Sequence, residues 1–355
     1  MGCAAARSTS RRESAIVMTA PSRPLISLIV PTYGRSASLR RCLASVAAQE
    51  YPRDAFEIIV VDDGSRRPVN DSLRTELPGD LPLMLVRASH QGVAAARARG
   101  IVQARGRILA FLDDDCAVPS DYLATIERVF RRHPATQVVQ VRILNPEPES
   151  LYGQAWEFLL DEAFKVNTRT TPDGRFTCGT LGGVCVASRD TFARVAWDAR
   201  FTRTREDADL RYQLQDARIP VYYEPEIRVL HFNRRSLWAF LAQFVHYGRG
   251  ELELRRKWRD VPSPYTYVSA TSRDALRRLL KARGCRRGLA VYAVLVLRRH
   301  AVKWGVLYEQ AGLDARHRLS RWPRFIGLLA MAYARRVRSR ARAALGRRPV
   351  GGAAK

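Results

Sequence analysis

Three consecutive carboxylates, Asp113-Asp114-Asp115, follow the short apolar run Ile108 to Leu112. Side by side they repel one another unless positive charge sits among them. A divalent cation meets that need. Carboxylate oxygens suit Mg²⁺ or Mn²⁺, and Mg²⁺ binds one or two carboxylates together with substrate phosphates. The triplet therefore points to a diphosphate substrate held through metal, with a solvated acidic turn as the plainer alternative. A second acidic pair, Glu206-Asp207, opens a run in which Leu210 and Leu214 recur at helical spacing. Acidic residues are favoured in a helix's first turn, and Thr204 could cap it, so this pair alone demands no chemistry.

Chemistry at these residues needs a frame that brings them together. Leu25 to Val30 is a β-rich apolar run that a fully buried parallel strand would produce. Pro31-Thr-Tyr-Gly-Arg35 turns the chain into a helix carrying Leu39, Leu43 and Val46. Phe56 to Val61 reads as a second strand, stopped by Asp62-Asp63-Gly64-Ser65, and Leu83 to Arg87 as a third. The Ala-rich helix Val93 to Ala104 leads into the strand that ends at the triplet. Strand, helix, strand in repetition means a Rossmann-like α/β fold, a mostly parallel doubly wound sheet that binds ligands at the carboxyl ends of its strands. No GxGxxG follows the first strand, which excludes a dinucleotide-binding fingerprint. Later segments read as a helix over Leu151 to Phe164, a strand over Val184 to Ala187 after Gly179-Thr-Leu-Gly-Gly183, and strands over Val221 to Tyr223 and Ile227 to Leu230.

Five of these segments, in order, resemble the family 2 glycosyltransferases with the GT-A fold: Leu28-Ile-Val-Pro-Thr-Tyr33, Ile58-Ile-Val-Val-Asp-Asp-Gly-Ser65, Gln91-Gly-Val-Ala-Ala-Ala-Arg97, Phe111-Leu-Asp-Asp-Asp115 and Glu206-Asp207-Ala-Asp-Leu210. The resemblance covers roughly residues 25 to 235. It implies that Pro31, Thr32 and Tyr33 line the base and ribose pocket, that Asp63 accepts from the base, and that Arg97 faces the phosphates. An arginine on an Ala-rich helix is otherwise a solvated side chain. It also implies that Asp113 or Asp114 touches the ribose, that Asp115, with Asp113 and His231, holds Mg²⁺ or Mn²⁺, and that Asp207, beside Glu206, is the general base. The reaction expected is inverting, metal-dependent transfer of one sugar from a nucleotide-diphosphate sugar to a hydroxyl acceptor. The chain departs from the family pattern at His90, where Asn is usual, at Ala98, where the pattern reads Arg-Asn, and at Gln213, where Arg is common. Arg255-Arg-Lys-Trp258 partly resembles the QxxRW element of processive polysaccharide synthases but lacks its Gln.

The chain has 60 basic and 34 acidic residues, only five of the basic ones lysine. From His231 onward there are 29 Lys/Arg against 6 Asp/Glu, so the front of the chain is nearly neutral and the back strongly cationic. Three parts are expected: a disordered leader over 1–22, a catalytic domain over 23–235, and a basic amphipathic helical extension over 236–355. In the extension, Leu276, Leu279 and Leu280 form one apolar stripe and Trp322, Phe325, Ile326 and Leu329 another, each flanked by arginines. Such helices lie in anionic membrane interfaces. The expectation is peripheral attachment on the cytoplasmic face without a transmembrane helix, near a lipid-linked or cell-envelope glycan acceptor. A helical bundle with a merely solvated basic face is the bland alternative. A non-catalytic membrane or nucleic-acid binding module on a degenerate transferase fold is the other. No zinc finger or RNA-recognition signature supports nucleic acid as a partner. Six cysteines without CxxC spacing argue against zinc and redox sites and fit a reducing compartment.

Overall fold

The computed structural model describes residues 25–69, 77–202, 204–261 and 270–310. The leader, Cys3 and the stripe at Trp322 to Leu329 lie outside them. Among the described residues ten strands form one sheet in the order β3-β2-β1-β4-β9-β6-β10-β8-β7, with the short β5 (Cys116–Ala117) pairing β10 off that path. The first four strands, β1 (Ile26–Thr32), β2 (Phe56–Asp62), β3 (Leu83–Arg87) and β4 (Ile108–Phe111), are mutually parallel. Beyond β4 the sheet is mixed: β9 (Cys185–Ser188) runs antiparallel to both β4 and β6 (Val138–Leu144), and β10 (Val221–His231) is parallel to β6. β7 (Thr168–Thr170) and β8 (Phe176–Cys178) close the far edge.

Every residue of β1 and β2 is buried, because helices cover both faces. Alternate side chains divide between two cores. Leu28, Val30, Ile58 and Val60 meet α1 (Ser36–Ala47) and α3 (Tyr122–Arg132). Ile29, Ile59 and Val61 meet α2 (Val93–Gln103) and α5 (Glu206–Asp216). The alanines of α2 allow a very close approach to the sheet. A Cβ on Gly100 would collide with the Ile29 side chain. Helix α2 consequently sits deep enough to bury Arg97 under the triplet.

A third core is helical, built where α4 (Leu151–Asn167), α6 (Leu237–Lys257) and α7 (Arg273–Gln310) meet. Gly284, at φ 73°, breaks α7 into a hairpin. In that hairpin Leu279 is buried in the third core while Arg277, Arg278 and Lys281 face outward. Not anticipated were α3, whose Tyr122, Leu123, Ile126 and Val129 make one buried face, β6, and the short strands β5, β7 and β8. The two strands expected over 221–223 and 227–230 are one strand, whose register shifts between Glu224 and Arg228, around Pro225. Proline cannot donate to the ladder, which confines it to such irregularities.

Candidate active site

The carboxyl ends of β1, β2 and β4 converge as a parallel sheet requires. Thr32 donates through Oγ1 to Asp114 Oδ2 at 2.7 Å, and the Asp63 amide donates to the Thr32 carbonyl at 2.9 Å. The Arg35 guanidinium spans the triplet, 3.1 Å from Asp114 and 2.9 Å from Asp115. Burial pushes the Asp114 carboxyl up to about 6, against the opposing pull of Arg35. Asp62 caps its own loop, accepting from the amides of Ser65 and Val69. Asp63 accepts from the amides of Gln91 and Gly92 at 2.9 Å each, and from His90 Nδ1 at 2.8 Å. The His90 ring also stacks on Tyr33, 4.1 Å between centroids and 18° between planes. Tyr33 remains 46% exposed, so this pair presents an open aromatic face beside Pro31 and Asp63.

Arg97 is not a solvated side chain. It is 2% exposed, with one terminal nitrogen 2.7 Å from Asp113 Oδ1 and the other 2.8 Å from Glu206 Oε1. Its guanidinium lies over the Trp197 ring, 4.6 Å from the centroid, and packs against Gly183, where any Cβ would collide with it. The two carboxylates hold Arg97 charged against the cost of burial. Through this one residue Asp113 of the triplet and Glu206 of the Glu206-Asp207 pair, far apart in sequence, become parts of one site.

Glu206 is committed to that bridge, but Asp207 is not. Among the described residues its carboxylate has one hydrogen bond, from the amide of the next residue, Ala208, at 2.7 Å. Burial, with the charge of Glu206 second, raises Asp207 to about 6. Ahead of the pair, Arg205 holds a left-handed backbone conformation, φ 75°. Non-glycine residues in that region are uncommon and concentrate at functional sites. Arg205 pairs with Glu251 of α6 at 3.3 Å, so α6 is tied to the segment that precedes Asp207.

His231 reaches the triplet through strand pairing. The antiparallel β5–β10 ladder sets His231 opposite Cys116, one residue from Asp115. Its Nε2 lies 3.5 Å from Asp115 Oδ1. Asp115, Cys116 and His231 offer ligand atoms within 4.8 Å of one another. Burial drives the Cys116 thiol well above its ordinary range and keeps it protonated. Asp115 and His231 could hold Mn²⁺ or Mg²⁺ through a carboxylate oxygen and an imidazole nitrogen, at a carboxylate that Arg35 now pairs. Asp113, a third carboxylate, is held by Arg97 at the same strand end.

Several contributors were not singled out from sequence. Arg35 is one, and Asp209 another. Fully buried, Asp209 accepts from Lys257 Nζ at 2.7 Å, Trp258 Nε1 at 2.6 Å and Gln213 Nε2 at 2.7 Å. The Trp258 ring stacks on Tyr212 at 5.2 Å. The Lys257-Trp258 segment therefore clamps α5 to the end of α6. Gln213, where the family pattern often has Arg, spends its side chain on Asp209 and the Ala196 backbone.

The family model described as Glycosyl transferase family 2 matches residues 27–193. Glycosyltransferase AglE of Haloferax volcanii is 38% identical over 101 residues, 28% of this chain and 33% of that protein. Validoxylamine A glucosyltransferase of Streptomyces hygroscopicus subsp. jinggangensis is 32% identical over 152 residues, 40% of this chain and 35% of that protein. The chain thus spans about a third of the length of these relatives. Among solved structures, mannosyltransferase PcManGT from Pyrobaculum calidifontis, in complex with GDP-Man and Mn²⁺, superposes with a TM-score of 0.52 at 20% identity. That match covers 88% of this chain and 82% of the other.

Proposed function

From the premise that this chain belongs to glycosyl transferase family 2 through residues 27–193 and has the GT-A fold, we propose that it is an inverting, metal-dependent glycosyltransferase. It moves one sugar from a nucleotide-diphosphate sugar to a hydroxyl acceptor. The observation that carries this reading is the Arg97 bridge, which sets an unpaired carboxylate, Asp207, beside an acidic triplet in one cleft.

The nucleotide lies across the ends of β1 and β2. Its base is received by the Tyr33–His90 face and Asp63, its ribose by Asp114 and Asp113. Asp115 and His231, together with Asp113, would hold Mg²⁺ or Mn²⁺, which would supply charge stabilisation for the departing diphosphate. Asp207 takes the proton of the acceptor hydroxyl as that oxygen attacks the anomeric carbon from the face opposite the nucleotide. Glu206 holds Asp207's neighbourhood negative and is itself fixed by Arg97. Arg97 acts through Asp113 and Glu206, with its two terminal nitrogens occupied by them.

The basic helices support attachment to an anionic membrane surface. No helix among the described residues is long and apolar enough to cross a membrane. Yet Trp238 is 74% exposed at the start of α6, and Leu289, Leu297 and Trp304 are exposed along α7 among Arg286, Arg299 and Lys303. Such a surface suits a lipid-linked or cell-envelope glycan acceptor. Incubation with UDP-, GDP- and dTDP-sugars plus Mn²⁺, read as nucleotide release, tests the reading. Release from one donor, lost on chelation and in Asp115→Ala, is the expected result. Binding of no nucleotide with or without metal would overturn it.

A further inference from the structure

The segment that joins β10 to α6, residues 232–236, borders the acidic triplet and is pinned on both flanks. The Phe232 amide donates to the Asp115 carbonyl at 3.0 Å, and the Arg41 guanidinium of α1 lies over the Phe232 ring, 3.6 Å from its centroid. The Asn233 side chain turns back to donate to the His231 carbonyl at 3.3 Å. On the other flank Arg235 grips Glu147 through two nitrogens, at 2.6 and 3.1 Å, and the Ser236 hydroxyl caps α6 by accepting from the Ala239 amide.

Between these anchors stands Arg234. Its Nη2 lies 3.9 Å from Asp115 Oδ2, close enough to feel the charge and too far for a hydrogen bond. No other partner meets its side chain among the described residues. The remaining guanidiniums at the triplet are committed: Arg97 gives its terminal nitrogens to Asp113 and Glu206, and Arg35 spans Asp114 and Asp115. Arg234 therefore keeps a fork of free donors, which matches phosphate oxygens two at a time. The side chains of Arg234, Asp113 and Arg35 are 32%, 31% and 41% exposed, so a ligand can reach them.

The sheet decides which phosphate that would be. Asp63 follows the end of β2, the triplet follows β4, and Arg234 follows β10, three strands beyond β4 and joined to the triplet's segment through β5. A nucleotide with its base at Asp63 and its ribose at Asp113 and Asp114 runs along that row. The phosphate nearest Arg234 is then the distal one, which carries the sugar. As the bond from the anomeric carbon to that phosphate breaks, its electron pair stays on the phosphate oxygen while the acceptor oxygen bonds to the carbon. A positioned cation stabilises the charge so formed.

We infer that Arg234 is a catalytic residue, holding the sugar-bearing phosphate of the donor and stabilising the charge left on it. This rests on the transferase reading and adds to it a residue that contacts the leaving group.

Nucleoside mono- and diphosphates separate the two phosphates. The full chain with Mn²⁺ is titrated calorimetrically with UMP and UDP, GMP and GDP, and dTMP and dTDP, beside Arg234→Gln and Arg234→Lys. The expected result for Arg234→Gln is that the diphosphate of the base that binds is weakened at least about tenfold, and its monophosphate by no more than about twofold, as loss of a charged hydrogen bond to the distal phosphate requires. Arg234→Lys, with the charge but not the fork, falls between. Turnover of the matching nucleotide sugar falls further than its affinity in Arg234→Gln, because the charge on that phosphate grows in the transition state. Both variants are expected to unfold at the wild-type urea midpoint, since the side chain makes no hydrogen bond. Undiminished diphosphate binding by Arg234→Gln overturns the inference. So does an equal loss of mono- and diphosphate, which would place the arginine at the proximal phosphate or in a merely structural role. An unaltered chain that binds none of the nucleotides fails the transferase reading itself, and the inference falls with it.

Discussion

Replacing Arg97 by Met tests whether one buried guanidinium holds the two halves of the site together. Methionine retains most of the apolar stem and its packing on Trp197, and loses both charged hydrogen bonds, at 2.7 and 2.8 Å. The Asp113 side chain, 31% exposed, can rehydrate; the Glu206 side chain, 10% exposed, is left as a nearly buried charge without its partner. Removing one member of a buried pair costs about 3–5 kcal/mol, and the part-exposed Asp113 keeps the loss at the lower end of that range. With urea m-values of about 1–3 kcal/mol/M, the unfolding midpoint falls by at least about 1 M at unchanged m. Arg97→Lys preserves charge but not the two-pronged reach and falls between the two. Urea titration of the three proteins, followed by circular dichroism, makes the measurement. An Arg97→Met protein unfolding at the wild-type midpoint would mean that the bridge contributes nothing and would refute the reasoning.

Other expectations follow from the same contacts. Asp207, raised to about 6 from an ordinary 3.8, binds its proton more tightly folded than unfolded, so its contribution to stability is fully present below pH 3.8 and lost as pH rises through 6. Asp207→Asn is therefore expected to be more stable than wild type at pH 7, by up to about 3 kcal/mol at 1.36 kcal/mol per unit, with the gap closing below pH 4; paired urea titrations at both pH values check the sign. Only the ionised form can take a proton, so turnover falls about tenfold per unit below pH 6. Gly183→Ala pushes a methyl into the Arg97 guanidinium and is expected to destabilise by about 1–3 kcal/mol, as overpacking does, with reduced turnover. Flotation with anionic vesicles is expected to recover the protein, less of it at high salt, and less again after Trp238→Ser with Trp304→Ser; recovery equal on neutral vesicles would remove the membrane assignment.

Much of the cluster around the triplet was legible in the sequence because its residues sit at strand ends, where parallel pairing forces convergence. Thr32, Asp63 and Asp114 lie together for that reason alone. Arg97 shows the limit of local reading. On an Ala-rich helix it resembles a surface arginine, and only the depth to which Gly100 lets α2 sink makes it a buried bridge. Helix α3 was missed although Tyr122, Leu123, Ile126 and Val129 carry a clear 3.6-residue period, so the signal was present. The contacts of the helices beyond the sheet left no such signal. Asp209 with Lys257 and Trp258, and Trp156 with His231, Phe244 and Arg298, meet only through tertiary packing of helices tens of residues apart.

The central claim is that Asp207 removes the acceptor proton within a site whose donor side is built independently around the triplet. The measurement that tests it most directly compares donor affinity and turnover of Asp207→Asn with wild type, on the nucleotide sugar and metal that support release. The predicted result is a nucleotide dissociation constant within about twofold of wild type and a turnover reduced by about 10²–10⁴, the range a positioned general base supplies. Turnover retained in Asp207→Asn would contradict the account and move the base elsewhere in the cleft.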